Sequence, residues 1–181
     1  MTENTSTRRQ TTAGVVLGAA TVTMGLIAGV FYIFACAVMP ALHRSDDRVF
    51  VGVMRDINDT IQNPVFFLSF MGALVLTGVS AWQLRGRPCG RWVWAGLAAY
   101  ALVFLITVAF SIPLNDALAK TGDASALRDR FENPWVAWNA VRALLSTVAL
   151  GCLARSLVLY GRFSARAGMV SPSGGTPFGG A

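Results

Sequence analysis

Four long runs of apolar residues, separated by shorter polar segments, dominate the chain. The runs cover residues 13–39, 64–84, 92–112 and 134–160. A helix rises about 1.5 Å per residue, so about 20 residues cross the ~30 Å hydrocarbon core of a bilayer. Each run reaches that length. The pattern therefore predicts an all-α integral membrane protein, a four-helix bundle with up-down-up-down topology.

The flanking segments differ from the spans in composition. Residues 1–12 are polar, and residues 161–181 are rich in Gly, Ser and Pro with little to bury. We therefore expect disordered ends around a single membrane domain at 13–160. A cleavable signal peptide is the competing interpretation of the first run. The apolar part of a signal peptide is usually about 7–15 residues, and this run is much longer, so a retained anchor is favoured.

The composition supports a protein in contact with lipid. Hydrophobic residues make up 54% of the 181 positions and charged residues 13%, about half the share of about 25% that is usual in soluble domains. The formal net charge of +6 would suit a nucleic-acid partner, but the basic residues lie beside apolar spans and form no aromatic-interleaved patch. We expect membrane lipid, and no nucleic acid, as a partner.

Basic residues predict the orientation of the bundle. The short loop between the second and third spans carries Arg85, Arg87 and Arg91, and both terminal segments add further arginines. The longer loops, 40–63 and 113–133, hold all the acidic residues except Glu3. Because Lys and Arg concentrate in short cytoplasmic loops, both termini should be cytoplasmic in the cell membrane, with the two longer loops outside.

The two longer loops resemble each other. Each begins after a proline that ends a span, carries an Arg-Asp pair and finishes in Asn-Pro, at Pro40 and Pro113, Arg55-Asp56 and Arg128-Asp129, and Asn63-Pro64 and Asn133-Pro134. Asn is a good N-cap and Pro suits the first helical position, so each Asn-Pro predicts a helix start. A duplicated helix-loop-helix unit with a two-fold axis along the membrane normal accounts for the similarity. Chance likeness of two helix starts accounts for it equally well, so both interpretations stay open.

The fourth span carries polar residues along one face. Trp135, Asn139, Arg142, Ser146 and Ala149 recur at three- and four-residue intervals, which places them on one side of a helix. A charged residue at the bilayer centre costs at least ~2.5–3.5 kcal/mol, so Arg142 should face the bundle and pair with carbonyls or a carboxylate. A functional role and the bracing of a loop are equally compatible with this position.

Other polar residues should meet Arg142 at the same level of the membrane. They lie at the outer ends of the other spans and include Asn58, Gln62, Thr107, Ser111, Asn115 and the only histidine, His43. Converging polar groups at the mouth of an apolar bundle are typical of a small-molecule pocket. They are equally typical of hydrogen bonds that tie loops to helix ends, and the spacing does not separate the two.

Several classes of function are disfavoured. One histidine and no paired cysteine cannot supply a haem with two protein ligands or a three-histidine metal site, and no nucleotide-binding or hydrolase motif occurs. No carboxylate lies within a span, which argues against proton-relay transport. GxxxG pairs in the first span favour packing within the bundle and leave a homo-oligomer open; they are formed by Gly14, Gly18, Gly25 and Gly29.

Two short motifs resemble those of the anthrone oxygenase family, much of which is classed as a domain of unknown function. The motifs are Pro113-Leu114-Asn115-Asp116-Ala117-Leu118 and, about twenty residues later, Trp138-Asn139-Ala140-Val141-Arg142. Pro40-Ala41-Leu42 and Asn58 are also similar, so the resemblance covers residues 14–160. It implies a four-helix membrane protein. In some fungal polyketide pathways, members oxidise an anthrone to an anthraquinone with molecular oxygen and no recognised cofactor.

The resemblance implies roles for particular side chains. Arg142 would stabilise an oxyanion with Asn139 and Asn115 as donors, and His43 or Asp116 would be the base. Substrate contacts would come from Asn58, Ser111, Trp138 and Ser146, with a lipophilic small molecule and oxygen as partners and no metal or cofactor. Many relatives carry a histidine directly after the Asn of the W-N-x-x-R motif, where this chain has Ala140. The alternative hypothesis is a non-catalytic accessory or partner-binding membrane protein with a purely structural polar cluster.

Overall fold

A computed structural model describes residues 2–170, with side chains described for residues 11–163. That part of the chain is helical and contains no strand. The elements are α1 (Thr2–Ile33), π1 (Phe34–Val38), α2 (Met39–Leu42), α3 (Asp47–Ile61), α4 (Pro64–Gln83), α5 (Gly90–Ile106), π2 (Thr107–Ser111), α6 (Ile112–Ala119) and α7 (Ala124–Val170), where π1 and π2 are single π-helical turns.

Four helical segments are long and apolar enough to cross a membrane. They are Thr11–Leu42, Pro64–Gln83, Gly90–Ala119 and Ala124–Phe163, which confirms the predicted all-α four-helix membrane bundle. Residues 2–12 lie in α1 and residues 161–170 in α7, although their composition predicted disordered ends. Residues 171–181 of the predicted tail lie outside the described residues.

The sequence predicted that Pro40 and Pro113 end the first and third spans. They do not, because a π turn lets each helix continue past its proline. Proline has no N–H, and its ring collides with the carbonyl four residues earlier. The turn before each proline widens instead: Met39 N–H donates to Phe34 O, and Ile112 N–H donates to Thr107 O. A hydrogen bond from a backbone N–H to the carbonyl five residues earlier defines a π turn.

The two Asn-Pro pairs behave differently. Asn63 is an N-cap whose Oδ1 accepts hydrogen bonds from Val65 N–H and Phe66 N–H, both at 3.0 Å, so the predicted helix start is confirmed there. At Asn133-Pro134 the prediction is wrong, because α7 begins at Ala124 and Pro134 lies inside it. The carboxylate of Asp123 accepts from Ala126 N–H at 3.0 Å and satisfies an N–H group at the earlier start.

The bundle is a ring of four spans in which α1 packs on α4 and α7, and α5 packs on α4 and α7. Its centre is fully buried and contains Leu17, Met24, Ile27, Tyr100 and Leu153. Many large apolar side chains on the outer faces are exposed, as expected for residues that contact lipid. At Gly14, an added Cβ would lie 3.1 Å from the Tyr160 ring. The close approach permitted by this glycine therefore serves the contact between α1 and α7.

Two arginines cross-brace the end of the bundle that carries α3 and α6, called the loop end below. Arg55 of α3 donates to Leu118 O at 2.9 Å and to Lys120 O at 2.6 Å. Arg128 of α7 donates to His43 O and to Ser45 O, both at 2.9 Å. Each guanidinium thus satisfies carbonyls at or just after the C-terminal end of the post-proline helix of the other half. This reciprocal exchange is the arrangement that a duplicated unit would produce.

Candidate functional site

A partly enclosed cavity of about 350 Å³ lies inside the loop end of the bundle. Small-molecule sites usually occupy about 300–1,000 Å³, so the cavity is large enough for a compact ligand. Its wall is mainly apolar and includes the rings of Phe31, Phe34, Phe66, Phe67, Phe70, Phe104 and Trp135. Its polar groups come from Asn58, Gln62, Thr107, Ser111, Asn115, Asp116, Asn139 and Arg142.

Arg142 is the central charged group of this wall. Its side chain faces the bundle as predicted, and the residue is only 5% exposed. The guanidinium carbon lies 4.4 Å from the ring centroid of Phe31 and 5.6 Å from that of Trp135, distances typical of cation–π contacts. Nη2 donates to Asn139 Oδ1 at 3.2 Å.

The hydrogen-bonding capacity of Arg142 is mostly unused. Guanidinium has five N–H donors, and Nε is buried without a partner. The expected partner was a carbonyl or a carboxylate. Within the described residues Arg142 has the amide oxygen of Asn139 and no ion pair. A buried cation with unused donors at a cavity wall is suited to hold an oxyanion.

Asn139 and Asn115 connect the cavity wall to neighbouring helices. Asn139 is 1% exposed, and its Nδ2 donates to Phe31 O at 3.1 Å while its Oδ1 accepts from Arg142. Asn115 Oδ1 accepts from Trp135 Nε1 at 3.0 Å. The first bond fixes α7 to α1 beneath the guanidinium, and the second fixes α7 to α6. Both amides therefore orient the site, and the Nδ2 group of Asn115 keeps donors for a ligand.

Asp116 supplies the one carboxylate among the residues that line the cavity in the described chain. It is exposed and follows Asn115 on α6. Ser111 of π2 also lines the cavity. It is 2% exposed, and its Oγ is buried without a hydrogen-bond partner. Asn58, near the end of α3, also belongs to the polar part of the wall.

Three other residues singled out from the sequence lie outside the cavity lining. His43 Nδ1 lies 2.6 Å from Glu132 Oε1, and its side chain is 73% exposed. Trp138 stacks on Phe110 at a centroid distance of 4.0 Å. Ser146 Oγ donates to Arg142 O at 2.6 Å, so its hydroxyl is engaged within α7.

The His43 side chain belongs to a separate ionic network beside the loop end. Arg128 donates to Glu132 Oε2 at 2.7 Å and to Asp47 Oδ1 at 3.0 Å. Its guanidinium also lies 4.6 Å from the Phe50 ring centroid. This network holds α3 and α7 together, and it gives His43 a structural partner in Glu132.

The aromatic wall is the part of the site that the sequence did not reveal. Trp135 could have been included, because it lies one turn before Asn139 on the face already identified. Phe31, Phe70 and Phe104 carried no such signal. Within an apolar span, a phenylalanine that lines a cavity has the same sequence signature as one that contacts lipid.

Comparison with known protein families gives one result. Residues 66–152 match the model of the family described as Anthrone oxygenase. This stretch, just under half of the 181 residues, is similar to the same family that the sequence motifs resemble. No curated protein and no solved structure matches the chain significantly.

The anthrone oxygenase match runs from the first turns of α4 to the middle of α7. It contains Asn115, Asp116, Asn139 and Arg142, so the charged part of the cavity falls inside it. Asn58 and His43 precede it. Ala140, which stands where the resemblance implied a histidine in many relatives, is exposed and outside the cavity lining. Ala140 therefore removes no base from the cavity of this anthrone oxygenase-like protein.

Proposed function

We propose that this membrane protein is a cofactor-independent oxygenase that oxidises a lipophilic aromatic substrate of the anthrone type with molecular oxygen. The observation that carries the proposal is Arg142, a buried cation with unused donors that lines an aromatic cavity within the anthrone oxygenase match. We further propose that the protein lies in the cell membrane with both termini in the cytoplasm.

The proposed reaction converts anthrone and dioxygen into anthraquinone and water. A base removes one methylene proton, and the resulting anion is delocalised over the fused rings and the carbonyl oxygen. The carbanion transfers electrons to oxygen in two one-electron steps, forms a carbon–oxygen bond and becomes a hydroperoxide on protonation. Loss of the second methylene proton as the O–O bond breaks yields the second ketone and water. All atoms and electrons balance without a further oxidant.

Arg142 would stabilise the enolate oxygen in this scheme. Its charge is held in a water-poor aromatic wall, where electrostatic stabilisation of a developing anion is strongest. Asn139 would position the guanidinium, and Asn115 and Ser111 would donate hydrogen bonds to the substrate. Asp116 is the better candidate for the base, because it lines the cavity whereas His43 binds Glu132 outside it.

The alternative is a non-catalytic membrane protein whose polar cluster only stabilises the bundle. The bonds from Trp135 to Asn115 and from Asn139 to Phe31 O favour it, because both join helices. It leaves the partnerless Nε of Arg142 without an explanation. A structural cluster of this type is expected to satisfy its buried donors.

Oxygen uptake by the purified protein in proteoliposomes with anthrone tests the proposal, after subtraction of protein-free autoxidation. We expect Arg142→Met to lower kcat/KM about 10²–10³-fold, as loss of an oxyanion donor does. Arg155→Met removes an exposed arginine elsewhere on α7 and serves as the matched control, with turnover expected to stay at the wild-type rate. Equal turnover in all three proteins would refute the site, and no turnover above background would favour the non-catalytic alternative.

The identity of the base is tested in the same assay. Asp116→Asn should reduce kcat about 10²–10⁴-fold, the usual contribution of a positioned base. Asp129→Asn alters an exposed carboxylate of α7 outside the cavity lining and should have little effect. A larger loss in His43→Gln than in Asp116→Asn would transfer the role to His43.

A further inference from the structure

One side of the cavity wall also forms part of the outer surface of the bundle. Phe67 and Met71 of α4 line the cavity and are 48% and 41% exposed. Val108 of π2 and Ile112 of α6 line it from the other side and are 50% and 45% exposed. Side chains that face both a cavity and the exterior mark the rim of an opening, which we call the lateral opening.

The lateral opening faces lipid. All four rim side chains are apolar, and they lie within two segments that are long and hydrophobic enough to cross a membrane, Pro64–Gln83 and Gly90–Ala119. Exposed apolar side chains at this position contact acyl chains in a membrane protein. A ligand can therefore pass between the bilayer and the cavity without crossing water.

The sequence causes this gap through the π turn that precedes Pro113. Below the opening, Tyr100 OH donates to Phe70 O at 3.0 Å and holds α5 against α4. About two turns further, the third span enters π2, where the helix widens to accommodate the proline. Contact between α4 and π2 is marginal at most, so the two segments leave a space between them.

Nearly parallel aromatic rings line the cavity beside the opening. The rings of Phe66 and Phe70 have centroids 5.7 Å apart and an interplanar angle of 13°. Those of Phe70 and Phe104 are also 5.7 Å apart, at 24°. These aromatic groups give the wall a surface on which a planar ring system can pack by stacking or edge contacts. A bulky or branched ligand would gain less from the same wall.

We infer that the cavity takes its ligand sideways from the bilayer, through the opening between α4 and π2, and that this is the entry route of the flat, uncharged aromatic substrate of the proposed function. An uncharged ring crosses the apolar rim without desolvating a charge, and it reaches the Arg142 guanidinium only inside. The inference deepens the proposed function and rests on it for the statement that this ligand is the substrate.

Anthracene tests the route independently of turnover, because it is flat and fluorescent and lacks the acidic methylene required for the proposed oxidation. The protein is placed in lipid nanodiscs, tryptophan is excited, and the rate at which saturable, sensitised anthracene emission appears is measured. The variant Met71→Phe/Val108→Phe narrows the rim without changing the number of tryptophans. We expect association to slow about tenfold, as when entry requires a conformational change.

Matched variants keep the test specific. Val148→Phe alters an α7 residue that is 48% exposed and lies outside the cavity lining, and it should leave the rate unchanged. Val108→Ala should accelerate association, which gives an effect of opposite sign in a variant with no added bulk. Gln62→Phe places a ring at the polar end of the cavity, near the end of α3.

Each outcome separates the two proposals. Slow association in the double variant together with acceleration in Val108→Ala supports lateral entry. Slowing by Gln62→Phe but not by the double variant would overturn it in favour of entry from water, and absence of saturable anthracene binding in the wild type would overturn the ligand class. Normal anthracene entry without anthrone oxidation would refute only the proposed oxygenase function.

Discussion

Replacing Arg142 with methionine tests whether the buried charge serves a ligand or supports the fold. In the wild-type protein, burial of the charge costs at least ~2.5–3.5 kcal/mol. The hydrogen bond to Asn139 contributes a favourable ~1.5–3 kcal/mol, and the desolvated contact with the Phe31 ring contributes about 2 kcal/mol. These contributions nearly cancel, so the guanidinium adds little net stability.

Methionine keeps much of the aliphatic volume and leaves one amide oxygen of Asn139 without its donor. We therefore expect Arg142→Met to change the free energy of unfolding by at most about 2 kcal/mol, although activity falls by orders of magnitude. Unfolding is followed by circular dichroism as sodium dodecyl sulfate is added to detergent micelles, with Arg155→Met as the control. A loss above about 4 kcal/mol would refute the reasoning, because only a structural brace would cost that much.

Three other predictions follow from the same structure. In sealed, right-side-out vesicles, a membrane-impermeant maleimide should label Thr121→Cys but not Pro88→Cys in a background without Cys36, and the reverse labelling would contradict the proposed orientation. Arg128→Ala should cost about 2–3 kcal/mol and Arg55→Ala about 1–2 kcal/mol in detergent unfolding. The first breaks a partly exposed network with two carboxylates, whereas the second removes bonds to carbonyls only. Pro113→Ala should let π2 tighten into an α-helical turn and slow anthracene entry, whereas Pro40→Ala should leave the entry rate unchanged. Equal entry rates in the two variants would show that the lateral opening does not depend on the π turn.

The polar face of α7 was predictable because its chemistry contrasts with its surroundings. Asn139 and Arg142 are costly inside a membrane segment, and their three-residue spacing places them on one face of a helix whatever the neighbouring helices do. The cap at Asn63 was predictable for a similar reason, since its side chain acts on N–H groups two and three residues away. Local rules were sufficient in both cases.

Other features depend on contacts between distant residues, and sequence patterns did not determine them. Pro113 was expected to end a span, but packing on both sides of it keeps the helix continuous and a π turn absorbs the missing hydrogen bond. Asn133-Pro134 has the signature of a helix start, yet Asp123 begins α7 earlier. His43 binds Glu132, 89 residues away in the chain, a pairing that no local pattern indicates.

The repeated pattern of the two halves explains why the cavity lies at the loop end. Both halves contain a π turn two residues before a proline, at π1 and π2, and both turns contribute to the cavity wall through Phe34 and Ser111. The second half adds the charged residue, Arg142, whereas α4 of the first half adds aromatic rings such as Phe70. A symmetric pair of helices would place like groups on both sides of the space. The difference between the two halves instead gives the cavity aromatic rings on the α4 side and a cation on the α7 side. On the proposed route, an uncharged ring enters on the first side and an anion is stabilised on the second.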